Sequence, residues 1–190
     1  MHQLDLVHAC FLSRGLSIST PGTPPSPPAQ TPHRPGSSDA EVVRVYADRV
    51  TALKLSTANA IIEAAFAASA KAGYKPMAVV VLDDSGNLTA AQRQDGASMF
   101  RVDVATGKAW AAAAMGVSSR VLFERAASNP NFFVSLASTA HGRFLPQTGA
   151  VLIKDASGHV VGAVGASGGT GDEDEEICIA GVNAVGLEAG

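Results

Sequence analysis

Gly165-Ala166-Ser167-Gly168-Gly169 matches G-x-S-x-G, the pattern of a serine nucleophile set between a strand and a helix. Such a serine needs a base, and in that architecture the chain order is serine, acid, histidine. Here the last histidine, His159, precedes Ser167, and the segments before it read as hairpins rather than parallel strands. Ser167 is therefore not expected to be a nucleophile. The same glycines could cradle an anion on the free N–H groups of a helix start. However, Asp172-Glu173-Asp174-Glu175-Glu176 follows at once, complements the helix dipole and repels phosphate. What remains is close approach of the Gly168 and Gly169 backbone to a ligand or another subunit. The acidic run lacks the spaced Asp/Asn and glycine of a calcium loop and reads as a solvated helix start.

Gly107-Lys108-Ala109 lacks the upstream glycine and the following Ser/Thr of a phosphate loop. Lys108 sits among small, apolar helical residues, so it either reaches water along its alkyl stem or serves a pocket. His141 lies in the glycine-containing loop Ala140-His141-Gly142-Arg143, as a candidate ligand or acid–base group. His141 and Arg143 together could meet a carboxylate or propionate. Cys10 and Cys178 make no disulfide framework, and Cys178 reads as a free buried thiol.

The elements that position these residues follow from periodicity and turn chemistry. Ser56 can cap a helix carrying Ile61, Ala65, Ala68 and Ala72, stopped by Gly73 and Pro76. Met77 to Leu82 is an apolar run of strand length, and Leu88 to Gln94 is its hairpin partner across Asp83-Asp84-Ser85-Gly86-Asn87. Ser98 opens a second helix over Met99 to Met115, and Ser118 or Ser119 a third that closes near Asn129-Pro130. Phe132, Phe133, Val134 and Leu136 read as a short core-facing segment. Ala150 to Lys154 and Val160 to Ala166 form a second strand pair around Asp155-Ala156-Ser157-Gly158-His159. Both turns share Asp-x-Ser-Gly, which makes His159 an exposed turn residue rather than a metal ligand. Thr170 and Glu173 match a capping box before a final helix to about Val185. The order α-β-β-α-α-(β)-β-β-α predicts an α+β sandwich, an antiparallel sheet of hairpins flanked by helices.

Composition bounds the rest. Hydrophobic residues are 46%, charged residues 16% and the formal net charge is −3, so with no basic block a nucleic acid is not an expected partner. No apolar run approaches a membrane span. Seven of the ten prolines fall between Pro21 and Pro35, which predicts a disordered arm over residues 1–40 and one domain over 41–190. The boundary falls between Gly36 and Leu53, with Glu41 to Val50 a short helix leading in. The start lacks a basic n-region and a long apolar h-region, so the cytoplasm is the expected compartment.

Several stretches, taken in order, resemble the haem-binding-like GlcG/HbpS family. They include Leu55-Ser56-Thr57-Ala58; Val79-Val80-Val81-Leu82-Asp83 with Ser85-Gly86; Arg93-Gln94-Asp95-Gly96-Ala97; Lys108-Ala109; and Gly149-Ala150-Val151-Leu152-Ile153. The most specific is Val161-Gly162-Ala163-Val164-Gly165-Ala166-Ser167-Gly168-Gly169-Thr170, followed by acids. The resemblance implies a profilin-like sandwich that assembles into homo-oligomers. Some relatives bind haem or are linked to its degradation and some are exported; others accompany corrinoid-handling proteins or glycolate utilisation. Two departures bear on the pocket: Gly171 stands where the family often has proline, and Ala140 to Pro146 replaces a Pro-Gly-rich stretch.

On this resemblance the chain is expected to be a non-catalytic or weakly catalytic oligomer that binds haem or a related tetrapyrrole. Lys108, His141 and Arg143 are its polar candidates, and Gly168 and Gly169 give close backbone approach. The alternative is an enzyme acting on a small 2-hydroxy or 2-oxo acid, with Lys108 or Arg143 holding the carboxylate and His141 or Asp95 moving a proton. A third reading is an oligomeric assembly protein without catalysis.

Overall fold

The structure is a computed structural model and describes residues 52–190. The expected arm, the short lead-in helix, Cys10 and the domain boundary lie outside the described residues.

Helix α1 (Leu55–Ala72) buries Ala58, Ile61, Ile62, Ala65 and Ser69, one stripe at helical spacing. It starts before Ser56, because the Ala58 N–H already bonds the Lys54 carbonyl at 2.9 Å. Lys54 is thus the cap residue and Ser56 lies in the first turn. Gly73 ends the helix in the left-handed conformation at φ 72°, where a side chain would be strained.

Strands β1 (Ala78–Asp83) and β2 (Leu88–Arg93) form the first hairpin; β3 (Ala150–Lys154) and β4 (Val160–Ser167) form the second. Their turns share one mechanism. Asp83 Oδ1 accepts the N–H groups of Ser85 and Asn87 at 3.0 and 2.8 Å. Asp155 Oδ1 accepts those of Ser157 and His159 at 2.9 and 3.0 Å. His159 is exposed there, as the turn pattern predicts. A two-residue strand, β5 (Glu188–Ala189), pairs with β3 and completes an antiparallel sheet of order β2-β1-β4-β3-β5.

Helix α2 (Phe100–Met115) packs Ala105, Ala109 and Ala112 on one sheet face, against Val80, Leu82, Leu152 and Ala163. Its cap residue is Met99 rather than Ser98. Helices α1 and α5 (Gly171–Ala184) cover the other face, over Val79, Val81, Val151, Ile153 and Val164. Small residues set both spacings. A Cβ on Gly165 would fall 2.4 Å from the Ala105 carbonyl oxygen, and one on Gly181 would fall 2.6 Å from that of Ile61. The arrangement is the expected α+β sandwich of hairpins flanked by helices.

One expectation is corrected. The segment Phe132 to Leu136, read as a strand-like piece, belongs to helix α4 (Pro130–Thr139), which follows α3 (Ser119–Ser128). Pro130 supplies a preset φ and a missing N–H at the first helical position, where neither is a cost. Phe133, Leu136, Ala137 and Ala140 then pack at helical spacing with Ala111, Leu122 and Phe144, while Phe132 and Val134 face solvent. So short an apolar run carries no period that separates strand from helix.

Candidate functional site

The residues singled out in the glycine-rich segment meet Lys108 at the end of β4. Lys108 points from α2 into the interior, and its Nζ donates to Asp174 Oδ2 at 2.8 Å and to the Ala166 carbonyl at 3.1 Å. Both side chains are buried, with exposures of 6% and 3%. Asp174 Oδ1 accepts the Gly169 N–H at 3.0 Å. One carboxylate therefore ties α2, the glycine turn and α5 together. Gly149, ahead of β3, leaves room for the pair: a Cβ there would lie 2.6 Å from Lys108 Nζ and 2.7 Å from Asp174 Cβ.

Lys108 thus serves an interior site rather than reaching bulk water. Its partner was hidden in the acidic run, yet the signal was present. The buried residues of α5 are Asp174, Ile177, Cys178, Gly181 and Val182, spaced i, i+3, i+4, i+7 and i+8. Counting back from the apolar positions picks Asp174 out of five consecutive acids.

The other acids complement the helix start as anticipated. Thr170 and Glu173 form the capping box, and Arg120 of α3 bonds Glu175 Oε2 at 2.7 Å and also reaches Asp172. These carboxylates hold the Arg120 guanidinium protonated well above its ordinary pKa. The N–H groups of Gly169 and Thr170 are taken by Asp174 and Glu173, so the helix start offers no anion cradle. The close backbone approach expected of Gly168 is made to the chain itself, whereas Gly169 lies at the surface of the cavity described below. A Cβ on Gly168 would fall 2.2 Å from Met77 Cβ and 2.9 Å from the Pro76 carbonyl oxygen.

Cys178 is fully buried and its Sγ donates to the Gly149 carbonyl at 3.7 Å. Burial, reinforced by the Asp174 charge, pushes its pKa up. An unfolded thiol ionises near pH 8.5, whereas the native one stays protonated. Its stabilising contribution is thus present below that pH and lost as pH rises. Unfolding free energy should fall by about 1.4 kcal/mol per pH unit more steeply in the wild type than in Cys178→Ala above roughly pH 9. Denaturant titrations at pH 8 and 10 check this.

A cavity of about 560 Å³ opens beside the pair. Arg101, Val104 and Lys108 of α2 form one wall and Arg120, Phe123 and Glu124 of α3 the other. Gln147, Thr148, Ser167 and Asp174 are also at its surface. Two other predicted residues lie elsewhere. His141 is exposed after α4 at φ 53°, and Arg143 stacks its guanidinium 5.2 Å from the centre of the Trp110 ring. Neither lines the cavity. Asp95 borders a separate depression of about 590 Å³, with Phe66, Tyr74 and Gln92. Of the set proposed for acid–base work on a hydroxy acid, Lys108 is therefore at this cavity, Asp95 at the other depression, and His141 and Arg143 together in the loop after α4. Arg101, which the sequence reading passed over, is in the cavity.

Among the described residues, no helix is long and apolar enough to cross a membrane, and no three His, Cys, Asp or Glu side chains could hold a metal ion.

The fold has solved relatives. The PduOC–haem complex aligns with a TM-score of 0.65 at 23% identity, covering 72% of this chain and 97% of that one. Klebsiella pneumoniae ORFY aligns at 0.66 and 23%, covering 73% and 93%. A double mutant of HbpS from Streptomyces reticuli aligns at 0.62 and 29%, covering 72% and 88%. A comparison with curated protein sequences finds no match. The sequence profile described as "Haem degrading protein HbpS-like" matches residues 53–183, from the start of the described chain almost to the end of α5. The chain belongs to this HbpS-like family, the one the glycine-rich segment and its flanks resemble.

Proposed function

We propose that the protein binds haem or a related tetrapyrrole in the cavity between α2 and α3. The observation that carries this reading is the cavity itself. Its volume falls in the range of roughly 300–1,000 Å³ typical of small-molecule sites. Val104 and Phe123 give it apolar surface for a macrocycle, and Arg101 gives it a cation for a propionate. The family description and the haem-bound relative of the same fold support the same class of ligand.

Haem iron takes His, Met, Cys or Tyr as protein ligands, and none of these residue types lines the cavity. Val104 and Phe123 would meet the macrocycle and Arg101 its acid groups, so the proposed grip is on the tetrapyrrole rather than on the metal. Bound haem would bring redox-active iron; the chain would supply the Val104 and Phe123 side chains, the Arg101 cation and the buried Lys108–Asp174 wall. His141, the ligand expected from sequence, could reach iron only in a haem seated outside this cavity.

Titration with haemin and with iron-free protoporphyrin tests the proposal. Saturable spectral shifts are expected for both, with affinities within about tenfold of each other, and unchanged in His141→Ala. No saturable binding of either ligand, or binding of haemin alone that His141→Ala abolishes, contradicts this placement.

Self-association belongs to the same proposal. Strand β2 is a sheet edge with Leu88 64% exposed, and Met99 and Phe100 after it are 81% and 65% exposed. Unpaired edges and exposed apolar side chains favour contact with a further copy.

A further inference from the structure

The charges around the cavity are mostly spoken for. Lys108 is held by Asp174, and Arg120 by Asp172 and Glu175. Arg101 differs. Among the described residues its only side-chain bond runs from Nη1 to Ser167 Oγ, 3.3 Å away, and no carboxylate forms an ion pair with it. Glu124, exposed on α3, lines the same cavity without reaching it. A guanidinium has five donors in a planar fork suited to a carboxylate.

Ser167 is 1% exposed. Its oxygen accepts from Arg101, and no acceptor among the described residues takes its own proton. Buried hydroxyl donors are normally satisfied. A carboxylate beside Arg101 would supply the missing acceptor and a counter-charge together. Packing fixes the spacing: Ser167 ends β4, Arg101 lies in the first turn of α2, and Gly165 lets the two elements ride in close contact.

We infer that Arg101 and Ser167 form a carboxylate-recognising subsite of the cavity, with the guanidinium and the hydroxyl each donating to the acid group. The inference rests on the binding reading above and names the part of the ligand that the chain recognises. It also gives the G-x-S-x-G serine a role as a hydrogen-bond donor. The acid could be a tetrapyrrole propionate or a free small hydroxy acid; both share this chemistry.

The test compares haemin, its dimethyl ester and glycolate on the wild type, Arg101→Ala and Ser167→Ala. Unaltered melting temperatures of the unliganded variants show that the fold is kept. Charge-assisted hydrogen bonds predict a haemin Kd about tenfold weaker in Arg101→Ala and about threefold weaker in Ser167→Ala. The ester should bind the wild type as weakly as haemin binds Arg101→Ala, with no effect of either variant. Equal binding of haemin and ester to all three proteins overturns the subsite and leaves tetrapyrrole binding intact. If no tetrapyrrole binds but glycolate raises the melting temperature of the wild type and not of Arg101→Ala, the subsite stands and the tetrapyrrole reading falls. If no ligand binds, both fall.

Discussion

Asp174→Ala is expected to destabilise the native state by about 3–5 kcal/mol, because it leaves the Lys108 ammonium buried and unpaired. The Gly169 N–H loses its acceptor in the same step. In a domain of this size the melting temperature should drop by roughly 10 °C or more. Lys108→Met is expected to cost less, since Asp174 keeps its bond from Gly169. The double variant Lys108→Met/Asp174→Leu should recover most of the loss of Asp174→Ala, because an apolar pair of similar size often replaces a buried ion pair at little cost. Denaturant unfolding of the wild type, Lys108→Met, Asp174→Leu and the double variant closes the cycle and measures the coupling. Additive single effects would show that the pair is not a unit.

Gly168→Ala is the second large effect, expected to destabilise by about 3 kcal/mol, at the upper end of ordinary overpacking. The added Cβ would meet Met77 Cβ and Cα at 2.2 and 2.7 Å. Only a shift of the Pro76–Met77 backbone or of β4 relieves the contact. Gly158→Ala serves as a control of a different kind: its strain is set by φ 83°, an added Cβ there meets nothing within 4 Å, and its cost should stay near about 1 kcal/mol. Thermal unfolding separates the two. Equal melting temperatures for the two variants would show that the chain yields easily at Gly168.

Much of this arrangement is legible before folding is considered. The two Asp-x-Ser-Gly turns mark the hairpins because their chemistry is local: each carboxylate serves N–H groups two and four residues on. The capping box at Thr170 and Glu173 is local in the same way. Helix α4 is not legible, since the four apolar residues between Phe132 and Leu136 fit either period and only packing against Trp110 and Phe144 settles the matter. β5 is invisible because a two-residue strand has no pattern of its own.

The site divides along the same line. Lys108 stands out as a charge among alanines, and Asp174 is recoverable from the apolar stripe of α5 once periodicity outranks the reading of an acidic block. Arg101 is not recoverable. Its relation to Ser167 spans 66 residues and exists only because α2 lies across β4. His141 and Arg143 are conspicuous by type, but the turn after α4 carries them to the surface, where Trp110 is the partner of Arg143. Residue type suggested chemistry there; tertiary placement decided where the cavity lies.

The most direct measurement is a crystal structure of the protein grown with haemin. The proposed placement predicts a tetrapyrrole between α2 and α3, in contact with Val104 and Phe123, with one propionate on Arg101 and Ser167. A haem held at the surface loop, with His141 on its iron and the α2–α3 cavity filled by solvent, would contradict it.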